Sequence, residues 1–257
     1  MTTICQLGLV LLSIGCSGAD EPSAPNAQES KKAEAAPAAP AAPQAVDAKD
    51  DVAMKAVREF ITKREIDTSI QRWKVQLPRP PQLEFDAGHD YFWNIETNKG
   101  PIKVRFMPDV APMHVSSTIF LTEVGFYDDL KFHRVIPGFM AQGGCPMGTG
   151  TGNPGYTYDG EYDDKVRHDR PGLLSMANTG RPQSDGSQFF LTFVPTPHLN
   201  NRHTIFGEIV AGMENLREIE RLGSAGGQTK EPLLMKSCTI SVAKKPAPKP
   251  KGDASNG

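Results

Sequence analysis

The 257-residue chain is poor in cysteine, in aromatic residues and in net charge, and it lacks a long apolar run. Four cysteines are too few for a small fold held by disulfides. Lys and Arg number 28 against 30 Asp and Glu, so the formal net charge of -2 offers nucleic acid no overall attraction. The most apolar stretch, residues 7–14, is too short to span a bilayer. What remains is a globular domain with accessory segments, without a nucleic-acid partner.

The first 15 residues resemble the signal peptide of a bacterial lipoprotein. They carry no charged side chain, and their apolar run leads to Gly15 and Cys16, as at a lipoprotein cleavage site. Cys16 is then the lipidated first residue, which predicts a protein of the bacterial cell envelope that meets the membrane through its lipid alone. Ser17, where an aspartate can retain lipoproteins in the inner membrane, favours the outer membrane. An ordinary cleaved signal peptide and a buried apolar strand are the alternatives.

Three segments flank the main domain. Residues 16–46 are rich in Ala and Pro, which predicts an extended, disordered tether. Residues 47–66 read as an amphipathic helix with acidic residues first and basic residues last, as the helix dipole favours. A proline-rich linker completes this N-terminal arm (residues 47–90). Residues 244–257 form a Lys- and Pro-rich tail that we expect to be disordered.

The main domain shows the two-residue periodicity of β-strands. Apolar residues alternate with polar ones on both sides of residues 98–100, which predicts a β-hairpin. One helix is expected from Val110 to about Gly125 and another from Met213 to Leu222. Short antiparallel strands with two helices indicate a closed barrel. The further strands are expected at residues 132–136, 172–176, 188–194, 204–210 and 233–242.

Four separated sequence blocks resemble the cyclophilin family of peptidyl-prolyl cis-trans isomerases. They are FHRVIPGFMAQGG (132–144), GLLSMANTG (172–180), GSQFFLT (186–192) and HTIFG (203–207). The resemblance covers residues 91–243. It implies a mainly β fold, a closed eight-stranded antiparallel barrel capped by two α-helices, to which the N-terminal helical arm is added. It also implies catalysed rotation about X-Pro bonds, without a cofactor, and the signal-like N-terminus adds the expectation that the clients are exported proteins.

The chemistry of that rotation points to an arginine. Resonance gives an amide a rotation barrier of about 18–20 kcal/mol, and the prolyl nitrogen gains a lone pair only when the bond is twisted. A fixed donor aimed at this nitrogen therefore binds the twisted form best. We expect Arg134 in the FHR block to be this catalytic donor. A charged hydrogen bond contributes about 1.5–3 kcal/mol, whereas five decades of rate need about 7 kcal/mol, so a dry pocket must supply the rest.

The resemblance also assigns the groove that holds the substrate. The pyrrolidine pocket is implied to consist of Phe139, Met140, Phe190 and Leu199. The residues that hold the flanking peptide groups are implied to be Gln142, Ala177, Asn178 and Gln188, with Gln188 also bracing Arg134 and His203 on the rim. Composition alone favours ordinary core packing for the apolar members, and the complete motif reverses this preference.

One position departs from the better-known eukaryotic pattern, in which a tryptophan precedes the pocket leucine. His198 stands there, and the lost indole area and N–H predict weak binding of cyclosporin. The partners expected are flexible proline-containing segments, bound by a monomer. A scaffold or holdase that uses the same groove without turnover is the alternative function. A second alternative places the function in the helix at residues 47–66.

Other motifs favour ordinary structural interpretations. Residues 150–155 match G-x-G-x-x-G but lie in no βαβ unit, so we expect a loop that borders the groove. The acidic run of Glu161, Asp163 and Asp164 is expected to be a solvated face. Cys145 and Cys238 are left either as a disulfide or as buried free thiols. No metal site is expected, because metal-ligand spacing is absent among His133, His168, His198 and His203.

Overall fold

The computed structural model describes residues 45–246, and all nine strands of this part of the chain form one antiparallel sheet around an aromatic core. The signal peptide, Cys16, nearly all of the tether and the tail from residue 247 lie outside the described residues. The sheet order is β1-β9-β2-β3-β8-β6-β7-β5-β4. The strands are β1 (Ala45–Val46), β2 (His89–Thr97), β3 (Gly100–Phe106), β4 (Arg134–Ile136), β5 (Met140–Gly143), β6 (Leu173–Met176), β7 (Phe189–Thr192), β8 (Ile205–Ala211) and β9 (Met235–Lys244).

The expected hairpin is confirmed. Strands β2 and β3 pair from Phe92 opposite Arg105 to Thr97 opposite Gly100, with residues 98 and 99 as the two-residue loop. Gly100 has a φ of 107°, which costs a glycine little. The inner face of the hairpin carries Trp93, whose ring centroid lies 4.9 Å from that of Phe189 in the core. Large aromatic side chains therefore fill the core, because they bury the most apolar area per residue.

The two ends of the sheet approach each other but do not pair as strands. The Phe132 amide donates to the Leu233 carbonyl (2.9 Å), and the Met235 amide donates to the Leu130 carbonyl (2.8 Å). A single bridge, Lys131 opposite Leu234, accompanies these bonds. Within residues 45–246 the ring of strands is therefore not completed as a continuous ladder, and the expected closed barrel is not shown. The mainly antiparallel β architecture with three helices agrees with the expectation.

Two strands were not expected from the sequence. The sequence of β5, MAQG, is short and ends in glycine, so it has little strand signal, yet it pairs with both β4 and β7. Strand β1 lies in the stretch assigned to the tether, and it pairs with residues 242 and 243 of β9. Tertiary pairing supplies the backbone partners that stabilise both segments, whatever their own propensities.

The expected helices are present with shorter bounds. They are α1 (Val52–Arg64), α2 (Pro112–Glu123) and α3 (Met213–Arg221). Helix α1 begins at residue 52 instead of 47 because the Asp51 carboxylate accepts hydrogen bonds from the amides of Ala53 and Met54. No helix in the described part of the chain is long and apolar enough to cross a membrane.

Helix α2 is buried on all sides, because the sheet covers one face and the N-terminal arm covers another. Every residue from Met113 to Thr122 is buried. On the arm side, the rings of Phe60 and Phe120 meet edge to face at 5.5 Å, and Arg58 pairs with Glu123 at 2.9 Å. Helix α1 is thus packed on the domain, as expected for a structural arm.

The two cysteines of the described region are buried free thiols. Of the two interpretations left by the sequence, the disulfide is therefore wrong in this structure. Burial raises the pKa of the Cys238 thiol well above its usual range, because the thiolate would lose its hydration.

A buried imidazole joins α2 to two loops beside the sheet. His114 Nδ1 lies 2.6 Å from Glu161 Oε2, and Nε2 lies 2.8 Å from Asp185 Oδ2. Glu161 also accepts the amides of Met113 and His114 at the start of α2. The expectation of a solvated acidic face is therefore wrong for Glu161, because this carboxylate satisfies the unpaired amides of a helix N-terminus.

Burial by itself lowers the pKa of His114, but the hydrogen bonds to Asp185 and Glu161 outweigh it, and the net pKa is raised above the usual 6.5. Burial by itself raises the pKa of Glu161, but the hydrogen bond with His114 outweighs it, and the net pKa is lowered. The other groups that face the ring, Tyr158 and Phe206, present aromatic rings. His114 and Asp185 are buried and Glu161 is half-buried, so the three side chains form a cluster that favours the protonated imidazole.

We expect the free energy of unfolding to fall as the pH rises above about 6.5, the ordinary pKa of histidine. The folded chain keeps the His114 proton to a higher pH than the unfolded chain, so unfolding releases it, at a cost of about 1.4 kcal/mol per pH unit until the raised folded pKa is passed. Urea unfolding across pH 6 to 9 should show this slope, and His114→Gln should lack it. His198→Gln, at an exposed position, is the control. Equal slopes in the wild type and His114→Gln would contradict the prediction.

Candidate active site

A cavity of about 120 Å³ opens on the outer face of the sheet at β4, β5 and β7. All nine residues that line it were named from the sequence. They are Arg134, Phe139, Met140, Gln142, Ala177, Asn178, Phe190, Leu199 and His203. Gln188, the tenth residue named, is not part of the lining.

Strand register brings the charged and apolar members side by side. Arg134 on β4 is opposite Gln142 on β5, and Gln142 is opposite Phe190 on β7. Residues directly opposite in an antiparallel sheet project from the same face, so these three side chains form one row. Met140 and Phe190 are buried at 2% and 4% exposure, whereas Arg134 is exposed. The row therefore runs from an apolar floor to a cation at the mouth.

A chain of amide hydrogen bonds fixes Arg134. Its Nη1 donates to Gln142 Oε1 at 3.2 Å, and Gln142 Nε2 donates to Gln188 Oε1 at 3.1 Å. Gln188 Nε2 in turn donates to the carbonyl oxygens of Gly150 (2.9 Å) and Gly152 (2.8 Å). Gln188 thus braces Arg134 through Gln142, without a direct hydrogen bond between the two side chains. The Gln142 side chain is therefore hydrogen-bonded to both Arg134 and Gln188.

The loop of residues 144–155, called here the groove loop, is organised around a thiol. Cys145 Sγ accepts the amides of Gly150 at 3.2 Å and Gly152 at 3.3 Å. Burial raises the pKa of this thiol, but the bonds from the Gly152 and Gly150 amides outweigh it, and the net pKa is lowered. The two glycines therefore donate their amides to sulfur and offer their carbonyls to Gln188. The glycine-rich motif thus connects to the cavity through Gln188 and Gln142, and none of its residues is part of the cavity lining.

The rim opposite Arg134 is made by Asn178 and His203. His203 Nδ1 donates to the Met176 carbonyl at 2.9 Å, so Nε2 is the free ring nitrogen. The Asn178 side chain donates to the Arg202 carbonyl at 2.9 Å and accepts the Gly180 amide at 3.0 Å. The side chain of Asn178 is thus occupied locally.

Two histidines support the pocket aromatics, and their support was not expected. His168 stacks on Phe190 with ring centroids 6.2 Å apart, and burial lowers the pKa of His168 to about 4. His198 stacks on Phe139 at 5.8 Å. Only the aromatic pairing in space could reveal these roles, because the paired residues are far apart in the sequence. Among residues 45–246, no three or more His, Cys, Asp or Glu side chains are grouped to hold a metal.

An antiparallel sheet that presents an arginine beside a small apolar cavity defines a candidate site for a proline ring with its flanking peptide. Residues 92–240 match the family model described as cyclophilin type peptidyl-prolyl cis-trans isomerase/CLD. The chain therefore belongs to this cyclophilin-type family.

Relatives agree with that assignment. The chain is 48% identical over 124 residues to peptidyl-prolyl cis-trans isomerase B of Bacillus subtilis, covering 48% of this chain and 85% of that protein. It is 45% identical over 157 residues to peptidyl-prolyl cis-trans isomerase-like 2 of Cryptococcus neoformans, covering 59% of this chain. The chain spans only 27% of that fungal relative.

Solved structures show the same fold. A cyclophilin-type peptidyl-prolyl cis-trans isomerase of Cryptosporidium parvum superposes with a TM-score of 0.56 at 32% identity, covering 61% of this chain and 99% of the other. A second structure of that parasite protein, determined in the presence of the dipeptide Ala-Pro, has a TM-score of 0.54 at 31% identity, with the same coverage of both chains.

Gly227 packs closely against the Arg134 side chain. Its carbonyl accepts the Val135 amide at 2.9 Å, and a Cβ at Gly227 would lie 2.7 Å from Arg134 Cγ. At the neighbouring Gly226 a Cβ would meet nothing within 4 Å. Gly227 also has a φ of +84°, which an alanine adopts only with strain.

We expect Gly227→Ala to lower kcat/KM for an X-Pro peptide on the order of tenfold, because displacing a reacting group by a fraction of an ångström is costly. Gly226→Ala should keep the wild-type value. A protease-coupled isomerisation assay measures both, and circular dichroism shows that both variants are folded. Wild-type turnover by folded Gly227→Ala would refute the positioning role.

Proposed function

We propose that this chain catalyses cis-trans isomerisation of X-Pro peptide bonds in flexible polypeptides. The observation that carries the proposal is the Arg134 guanidinium, held by Gln142 at the mouth of an apolar cavity. Mere binding of proline would need the cavity but not a positive donor beside it. Family membership agrees with the proposal.

The proposed mechanism requires no proton transfer and no covalent intermediate. The proline ring enters the cavity against Met140 and Phe190, which anchors one side of the rotating bond. As the bond twists, the prolyl nitrogen loses its resonance and presents a lone pair. Within the described residues only Nη1 of Arg134 is engaged, so its remaining N–H groups are available to donate to that nitrogen. The twisted form is therefore bound more tightly than either planar form.

Arg134 does not supply the whole effect. A charged hydrogen bond contributes about 1.5–3 kcal/mol, and an acceleration of five decades needs about 7 kcal/mol. The apolar floor of the cavity must contribute. A planar amide has a larger dipole than a twisted one, so the planar form loses more solvation free energy when it leaves water for this floor. The Ala177 amide already donates to the Gln188 carbonyl at 2.8 Å, so the Ala177 carbonyl and the backbone groups of Asn178 are proposed to hold the flanking peptide in register.

Arg134→Ala should lower kcat/KM for a short X-Pro peptide by about 10- to 150-fold, the equivalent of one charged hydrogen bond. Arg167→Ala, at an exposed arginine away from the cavity, is the matched control and should keep wild-type turnover. A folded wild-type chain that binds the peptide without turning it over would favour the scaffold or holdase instead. Equal turnover by Arg134→Ala would remove Arg134 from the mechanism.

Weak binding of cyclosporin is proposed to follow from His198. The imidazole already stacks on Phe139, and it offers less apolar area than an indole. His198→Trp should tighten cyclosporin binding by roughly tenfold, as expected for about 1–2 kcal/mol of added contact. Isothermal titration of the wild type, His198→Trp and His198→Phe separates ring area from the indole N–H. A nanomolar dissociation constant for the wild type would contradict the prediction.

We propose that the clients are exported chains and that the protein is tethered to a bacterial envelope membrane through lipid on Cys16. The support is the sequence alone: residues 1–15 resemble a lipoprotein signal, and an Ala- and Pro-rich stretch follows. Slow X-Pro isomerisation limits the folding of many chains, so an isomerase in that compartment has substrates. The monomeric state remains a prediction.

A further inference from the structure

A second, larger cavity adjoins the proposed proline pocket. Its volume is about 730 Å³, and it shares Asn178 and His203 with the first cavity. A peptide whose proline fills the first cavity therefore has neighbouring side chains within reach of the second. The function proposed above makes no use of this space.

The lining of the second cavity includes two exposed arginines, Arg181 and Arg202. Neither side chain forms an ion pair with any residue between 45 and 246. The one carboxylate of the lining, Asp159, accepts the Gln183 amide at 3.0 Å. The cavity thus carries two positive side chains against one negative side chain.

The backbone holds both arginines at this place. The Arg202 carbonyl accepts the Asn178 side chain at 2.9 Å, which ties Arg202 to the rim shared by the two cavities. The Arg181 carbonyl accepts the Ser184 hydroxyl at 2.6 Å. The nearby Asp164 is bonded by Asn201 Nδ2 at 2.9 Å. Both arginines are therefore part of loops whose backbone is held by hydrogen bonds.

We infer that the second cavity binds an acidic side chain of the client, close in sequence to the isomerised proline, through Arg181 and Arg202. Guanidinium groups match carboxylates in planar geometry and remain charged at any physiological pH. The inference names a substrate class for the proposed isomerase and rests on that function. The expected preference is modest, because exposed ion pairs contribute little and are screened by salt.

The test compares X-Pro peptides that carry Glu, Gln or Lys at successive positions on either side of the proline. At low ionic strength the purified wild-type chain should turn over the best-placed Glu peptide with a kcat/KM about three- to tenfold above that of its Gln counterpart. The Lys peptide should be the poorest of the three. The ratio should approach one at high salt.

Three variants should change the Glu-to-Gln ratio in three different ways. Arg181→Gln combined with Arg202→Gln should bring the Glu-to-Gln ratio close to one, whereas Asp159→Asn should raise it above the wild-type value. Arg167→Gln, which removes an exposed arginine that is not part of the cavity lining, should leave the ratio unchanged. The ratio compares two peptides on one protein, so a partly unfolded preparation does not alter it.

A wild-type ratio of one at every position would overturn the inference, as would a ratio that survives in the double variant. A ratio lost equally in Arg167→Gln would reduce it to general charge attraction and overturn the assigned site. Absence of turnover with all peptides would instead overturn the proposed function, so the two failures are distinguishable.

Discussion

The hydrogen bond between Arg134 and Gln142 is the contact on which the site depends. Arg134 lies on β4, a three-residue strand at the end of the sheet, and its side chain is exposed. A free arginine there would sample many rotamers, and ordering it on the substrate would cost entropy. Gln142 prevents this, and Gln188 holds Gln142 against the groove loop. The Arg134 side chain therefore loses its rotamer entropy during folding and not when the substrate binds.

The groove loop is supported from the other side by the N-terminal arm, which lies outside the family match. The Leu77 amide donates to the Pro154 carbonyl at 2.9 Å, and the arm backbone lies so close to Gly155 that a Cβ there would come within 2.8 Å of Leu77 nitrogen. The same arm covers α2, whose His114 ties down Glu161 and Asp185. The arm thus contacts both the groove loop and α2, although it contributes no residue to the cavity lining.

The charge distribution of the site suits a reaction without proton transfer. His168 is neutral at physiological pH because burial lowers its pKa to about 4, and it packs on Phe190 as an aromatic plate. His203 donates one ring N–H to the Met176 carbonyl. Arg134 is thus the one permanent charge lining the small cavity, and its hydrogen bond to the substrate becomes stronger once the bound peptide covers this exposed side chain and excludes water. The two further arginines line the neighbouring cavity and not the small one.

The sequence by itself determined the hairpin and the three helices, since hydrophobic periodicity and helix ends are local signals, and its resemblance to the cyclophilin family implied all nine residues of the cavity lining. It did not determine β5 or β1, whose stability comes from partners distant in the chain. Nor did it determine that Gln188 reaches Arg134 only through Gln142, that Glu161 is paired with His114, or that Cys145 and Cys238 remain apart. Such contacts join segments dozens of residues apart, and only the fold decides which side chains meet, because pairing depends on distance and burial and not on spacing along the chain.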